Sequence, residues 1–347
     1  MRKILFSDQD LQVICENIRR LTDAVLNQDS ISMIVSRQFI SDLIECNIEL
    51  GKTSPATARS IALDLLPVIQ SRQISYEEQV VKLFMALADL HEKEGSFKDA
   101  ANMLRAMPLE NGQRSYSSEM KLNIYVRLAD LAMRYGDGDE AETFINRASV
   151  VSNDLQNNKN VYIPFKIKFA EVLNYRQKFV EAARKYYDLA TFENLERSDQ
   201  LMALSNAIVC TIFAPPGAKR SRMLGMLFNN EKCKPIPSYS IVKNMYLGKI
   251  IQNDEMVDFE KSLTDNQRSM HGWAVMHRAF LEHNIIAISA SFTNMPLIQL
   301  ARLLGIDEVQ VRSLIRFLAE DILLQMIIDN RLVATIDQIS GFIHFKR

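Results

Sequence analysis

Few residues in this 347-residue sequence stand at spacings that could do chemistry, and each group fails a specific requirement. Leu50-Gly51-Lys52-Thr53 resembles the end of a phosphate-binding loop. That loop also needs a glycine at position 46, so that backbone amides can cradle phosphate, and a strand before it. Position 46 is Cys46, and the surrounding pattern is helical. His91-Glu92 would open a zinc-binding HExxH helix, but position 95 is Gly95. Two ligands on one helix face must stand four apart. His277 and His283 are six apart and leave a helix in different directions, while His271 and His344 have no partner at ligand spacing. Cys15, Cys46, Cys210 and Cys233 are scattered and form no CxxC, the usage of reduced thiols in a cytosolic or nuclear protein. Neither GxSxG nor GxGxxG occurs. The residues predict no catalytic group, no metal site and no cofactor, so the chain reads as a protein that binds or assembles, not as an enzyme.

The bulk composition narrows the partners. Lys and Arg number 41 against 42 Asp and Glu, a net charge of −1. A general binder of nucleic acid or of an anionic membrane would be strongly basic. Met1-Arg2-Lys3 is not followed by the apolar run of a signal peptide, and no stretch reaches the ~18 apolar residues of a membrane span. The expectation is a soluble, intracellular chain of about two domains with ample core material, 48% of it hydrophobic.

Any binding residues must be positioned by helices. Val80, Leu83, Phe84, Leu87 and Leu90 form one stripe at helical spacing, as do Ile124, Leu128, Leu131 and Tyr135. These stripes belong to a repeat. Leu87-Ala88-Asp89-Leu90, Leu128-Ala129-Asp130-Leu131 and Phe169-Ala170-Glu171-Val172 are successively 41 residues apart. A break follows each: Glu94-Gly95-Ser96, Gly136-Asp137-Gly138 and Arg176-Gln177-Lys178. Second helices then begin near Asp99-Ala100, Glu140-Ala141 and Glu181-Ala182, with an acid in the first turn, where the helix dipole favours it. The alanines are small enough for two helices to approach closely, and Leu104, Ile145 and Tyr186 follow them. One helix pair cannot bury its own stripe, so the copies should stack as a right-handed, TPR-like solenoid. Residues 10–70 also read as helical, with Leu11, Val13, Ile14, Ile18 and Leu21 on one side. The expected divisions are an N-terminal helical arm over 1–73, the repeat array over 74–213, further helices over 214–292 and a terminal subdomain over 293–347. The break Ala214-Pro215-Pro216-Gly217 ends the array, with helices expected at about 219–229, 238–250 and 273–291.

The last segment changes pattern. A short helix over Pro296–Leu304 and a longer one over Asp307–Asp329 precede two runs of strand formers, Val333–Ile339 and Phe342–Phe345, with Ser340-Gly341 as the turn. Two helices and a hairpin predict a winged helix, making the chain all-α with a small C-terminal α+β part. Such a subdomain often enters a DNA groove. Here Asp307, Glu308, Glu320, Asp321 and Asp329 outnumber Arg312 and Arg316 on the long helix, which phosphates would repel. No direct nucleic-acid contact is expected. The strand edges of the wing could instead be completed by a neighbour's strand. The basic run Lys219-Arg220-Ser221-Arg222 reads either as a solvated face or as a contact for acidic side chains of a partner.

A helical array ending in a winged helix resembles the PCI-domain family, the scaffolds of the COP9 signalosome, the proteasome lid and a translation initiation factor. The signalosome branch is the nearer likeness. It is carried by Tyr76–Val80, Ile145–Ser149, Tyr175–Phe179, Arg220–Leu224, Met245–Leu247, Leu281–Asn284 and Ile336–Phe345, in order from about residue 30 to the end. The resemblance implies a non-catalytic subunit of the complex that removes Nedd8 from cullins, found in cytoplasm and nucleus. It also implies its partners: the other PCI and MPN subunits and cullin–RING ubiquitin ligases. The N-terminal arm would reach toward the ligase. A loop at about Thr264–Trp273, including Gln267, would touch the MPN subunits. The wing over Val333–Phe345 would join a ring of PCI edges, with Ile336, Ile339, Phe342 and Phe345 as contacts beside Arg220 and Arg222. Relatives in the family continue past the wing into a long helix, whereas this sequence ends at Arg347, and its stretch Leu304–Met326 is longer than the family pattern. A proteasome-lid subunit of the same architecture and a free-standing peptide-binding repeat adaptor are the rival readings.

Overall fold

In the computed structural model, residues 11–27, 32–72, 75–109, 116–156, 158–192, 195–304, 314–337 and 339–346 are described. For 11–15, 265–266, 268–273 and 314–320 the description covers the backbone alone. They form two compact units, Met1–Phe165 and Lys166–Arg347.

The first unit contains α1 (Leu11–Asn27), α2 (Met33–Thr53), α3 (Pro55–Gln70), α4 (Glu77–Lys93), α5 (Phe97–Arg105), α6 (Ser118–Arg134), α7 (Gly138–Ser152) and the start of α8 (Lys159–Tyr175). On α1 the buried stripe runs through Ile18, Thr22 and Leu26, whereas Leu21, expected on the apolar side, is exposed. Gly51 lies buried near the end of α2, where a β-carbon would stand 2.9 Å from Leu90 Cδ2 on α4. The Leu50–Thr53 segment is therefore a helix C-terminus packed on another helix, not a loop between strand and helix.

The repeat is visible in the backbone itself. Gly95, Gly136 and Gln177 all take the left-handed conformation, at φ 79, 92 and 58. At each, the next amide reaches back five residues: Ser96 N to His91 O, Asp137 N to Ala132 O and Lys178 N to Leu173 O, each 2.9 Å. This Schellman bond satisfies helix carbonyls that would otherwise lack donors, and it reverses the chain. The alanines that follow, Ala100, Ala141 and Ala182, are fully buried, as are Leu104 and Ile145 one turn on.

The second unit holds the rest of α8, then α9 (Phe179–Ala190), α10 (Arg197–Phe213), α11 (Ala218–Asn229), α12 (Tyr239–Tyr246), α13 (Asn253–Ser262) and α14 (Asp265–Ser291). Its core includes edge-to-face aromatic contacts running Phe179, Phe213, Phe259, Phe280, with centroids 5.9, 6.1 and 5.6 Å apart. The winged helix follows as β1 (Asn294–Pro296), α15 (Leu297–Leu303), α16 (Leu314–Ile328), β2 (Ala334–Asp337) and β3 (Phe342–Phe345). Its core joins Leu281, Ile285 and Ile288 of α14 to Leu300, Leu323, Met326, Ile343 and Phe345.

Three expectations are corrected. The wing is a three-stranded antiparallel sheet in the order β1-β3-β2, not a two-stranded hairpin. A helix, α13, lies where none was foreseen. Residues 265–273, expected as a loop, are the first turns of α14, because Thr264 and Gln267 form a reciprocal capping box that starts the helix. The expected start of the long helix, at Asp307, and part of the lengthened 304–326 stretch lie outside the described residues.

Candidate interaction surface

Among the described residues the wing has one edge blunted by proline and one edge that no strand pairs. Lys346 N donates to Val333 O at 2.8 Å, and Thr335 stands opposite His344. Hydrogen-bonded pairs alternate along an antiparallel ladder. Val333, Thr335 and Asp337 therefore turn their backbone groups toward β3, and Ala334 and Ile336 turn theirs away from the sheet. On the other side, Phe345 N donates to Thr293 O and Leu297 N to Gly341 O, each 2.8 Å. That leaves Asn294 and Pro296 facing outward on β1. Pro296 has no N–H to offer, the usual way of blunting an edge. The edge of β2 has no proline among the described residues: Ala334 there is buried in the winged-helix core, and Ile336 is only partly buried.

The expected wing contacts divide between the two faces of the sheet. Phe345 is 7% exposed and Ile336 packs on the winged-helix core, so both support the fold from inside. Strand alternation dictates this: Ile343 and Phe345 point inward, Phe342 and His344 outward. Phe342 stacks on His344 with ring centroids 6.5 Å apart. At the hairpin tip Ile339 is fully exposed. Asp337 fixes that tip by accepting hydrogen bonds from the Ile339 and Ser340 amides and the Ser340 hydroxyl. The Ser340 bonds hold its carboxyl below the ordinary carboxylate range.

The basic run is also divided. Arg222 is exposed. Arg220, expected as a surface contact, is 3% exposed. Its Nε donates to Thr211 O and its Nη2 to Ile212 O, both 3.1 Å, and Nη2 lies 3.0 Å from Met245 Sδ. A guanidinium at the C-terminal end of α10 meets the orphan carbonyls and the negative pole of the helix dipole. The chain makes this possible by folding back at Pro215-Pro216-Gly217. Burial lowers the Arg220 pKa to about 10, and the charge of Glu282 partly offsets it.

Around Glu282 lies a polar network whose ranking the sequence does not give. The Glu282 carboxylate, itself buried, accepts from Arg278 Nε at 3.0 Å and from Arg331 Nη1 at 2.5 Å. Arg331 comes from the turn between α16 and β2, so the pair ties the wing to α14. The neighbouring His283 Nε2 lies 2.9 Å from Lys249 O. Burial first, then the Arg220 charge, depress the His283 pKa to about 4, against the pull of that hydrogen bond. Asn284 holds both backbone groups of Ile251, at 2.8 and 2.9 Å. The run Leu281–Asn284 is visible in the sequence, but no periodicity marks three successive polar residues as buried, each with its own partner.

Thr264 is exposed, and Gln267 donates to Asn206 Oδ1 at 2.7 Å, joining the start of α14 to α10. The backbone of Trp273 is helical, and its side chain lies outside the description. Among the described residues, no three His, Cys, Asp or Glu side chains gather as a metal site, and no helix is long and apolar enough to cross a membrane.

Two family profiles match the chain. One, described as PSMD12/CSN4, N-terminal, covers residues 2–197, and the other, the PCI domain, covers 255–347. COP9 signalosome complex subunit 4 of Drosophila melanogaster is 36% identical over 337 residues, 96% of this chain and 80% of its own. The Caenorhabditis elegans protein of that name is 37% identical over 335 residues, 95% and 79% of the two chains. The Arabidopsis thaliana protein is 33% identical over 337 residues, 94% and 82%.

Proposed function

Given that the chain belongs to the PCI-domain family of COP9 signalosome complex subunit 4, we propose that it is a non-catalytic scaffold of that complex, acting in cytoplasm and nucleus. In this reading it works with the other PCI and MPN subunits to hold a cullin–RING ligase for removal of Nedd8. Residues 1–73 form an arm toward the ligase, 74–213 the repeat array, 214–292 the helical part of the PCI domain and 293–347 the wing. The observation that carries the reading is the open β2 edge. Ile336, only partly buried, turns a backbone donor and acceptor outward for a neighbouring PCI strand to complete, while Pro296 blunts the edge at β1. Ile339 at the hairpin tip and Phe342 on the outer face of the sheet are the apolar contacts in this reading. Thr264, Gln267 and Trp273 stand at the start of α14, so a contact with MPN subunits there is made by the first turns of a helix. Arg222 remains available to acidic side chains of a partner. Arg220 and Phe345 act from within.

Affinity purification of the tagged chain, with partners identified by mass spectrometry, tests the reading. Recovery of the other signalosome subunits together with cullins is the expected result. Recovery of proteasome-lid subunits, or of the chain alone, contradicts it.

A further inference from the structure

The first unit contains a cleft of about 630 Å3 that lies outside everything proposed above for the wing. Its volume falls in the ordinary range of ligand sites, roughly 300–1,000 Å3. Leu104, Met107, Leu109, Tyr125, Leu128 and Phe144 line it, and all are buried in the unit. They come from α5, the turn after it, α6 and α7. Charged side chains stand only at the rim: Arg105, Asp137, Asp139, Glu140 and Arg147.

Most of these charges are already matched. Asp137 caps α7 by accepting from Glu140 N at 2.9 Å. Glu140 pairs with Arg105 at 2.6 Å and also accepts from the Tyr135 hydroxyl. Asp139 has a partner too. Arg147 is different. It is exposed, its guanidinium rests 5.8 Å from the centroid of the Phe144 ring, and it makes no hydrogen bond or ion pair among the described residues. The ring holds the planar group over the mouth and leaves its N–H edge free for a carboxylate. Among the described residues, no buried polar atom of the cleft lining lacks a partner, so the buried floor is apolar in character. An apolar side chain entering the cleft with a carboxylate beside it satisfies both features.

We propose that this cleft docks an acidic–apolar peptide segment of a partner: one Leu, Ile, Met or Phe side chain fills the space between α5, α6 and α7, and an adjacent Asp or Glu pairs with Arg147. The proposal is independent of the wing. It assigns the repeat region a peptide-docking role of its own.

Random 12-residue peptides displayed on phage and selected against the full chain test it. The expected consensus places Asp or Glu next to a large apolar residue. A synthetic peptide of that consensus should bind at least tenfold more weakly to R147E. It should also bind at least tenfold more weakly to T143W, which fills the mouth from an exposed rim position. Lysine in place of the acids should abolish binding. Absence of a consensus, a basic consensus, or undiminished binding by R147E overturns the proposal. So does undiminished binding by a T143W chain that unfolds like the wild type.

Discussion

At the scale of single residues, Arg220 and His283 show how far a side chain's role can depart from its type. Arg220 sits in a basic run, yet its charge is used inside, on the last carbonyls of α10. Removing it strands two buried acceptors. R220M should therefore destabilise the second unit by about 2–4 kcal/mol in denaturant unfolding, from unsatisfied acceptors and lost packing. R220K should recover only part, because an ammonium cannot reproduce the fork of N–H groups. His283 carries a pH dependence. Its pKa falls from 6.5 to about 4 on folding, so the unfolded chain binds more protons between those values. Stability from this site is complete above pH 6.5 and is lost as pH falls toward 4, by on the order of 3 kcal/mol at the low end. Unfolding midpoints measured from pH 7.5 to 4.5 should fall more steeply for the wild type than for H283Q, whose amide can still donate to Lys249 O. Equal slopes would mean that His283 is not held neutral.

At the scale of elements, the repeat was legible because it is local. A turn, a small residue and an apolar stripe recur at 41 residues, and the left-handed residues follow them through Gly95, Gly136 and Gln177. The third copy departs from glycine, and the left-handed region costs other residues roughly 1–2 kcal/mol. Q177G should raise stability in denaturant unfolding by up to about 1 kcal/mol, after the extra freedom of glycine in the unfolded chain is deducted. A loss of stability would show that the Gln177 side chain contributes packing worth more than the strain. The beginning of α14 was legible in principle. Thr264-Asp265-Asn266-Gln267 has the capping-box spacing, but the loop implied by the family resemblance prevailed over it. β1 was not legible: three residues ending in proline carry no alternation, and only pairing with β3 makes them a strand. Burial on the wing was half legible. Alternation predicts two faces, but only the position of α14 decides that Phe345 points inward and Phe342 outward.

At the scale of the whole molecule, a scaffold's chemistry is its unfinished hydrogen bonding. The described wing leaves one edge blunted by Pro296 and the other unpaired at the partly exposed Ile336, which gives assembly a direction. The same logic made the site hard to find from sequence alone. Residue types identified apolar wing positions, but which amides remain free depends on register. Ile336 is the place to test this, because it is only partly buried and its N–H points away from β3, so proline there removes an outward donor without breaking the sheet's own ladder. T335P provides the contrast, since it breaks a ladder bond inside the wing. The decisive measurement is the stoichiometry of the I336P chain in complexes reconstituted with the other signalosome subunits, read by native mass spectrometry beside its thermal unfolding and compared with I336A, which loses the same packing but keeps the N–H. I336P should unfold close to the I336A temperature but enter the complex at least tenfold less. A folded I336P chain that assembles as well as I336A would contradict an assembly role for the β2 edge.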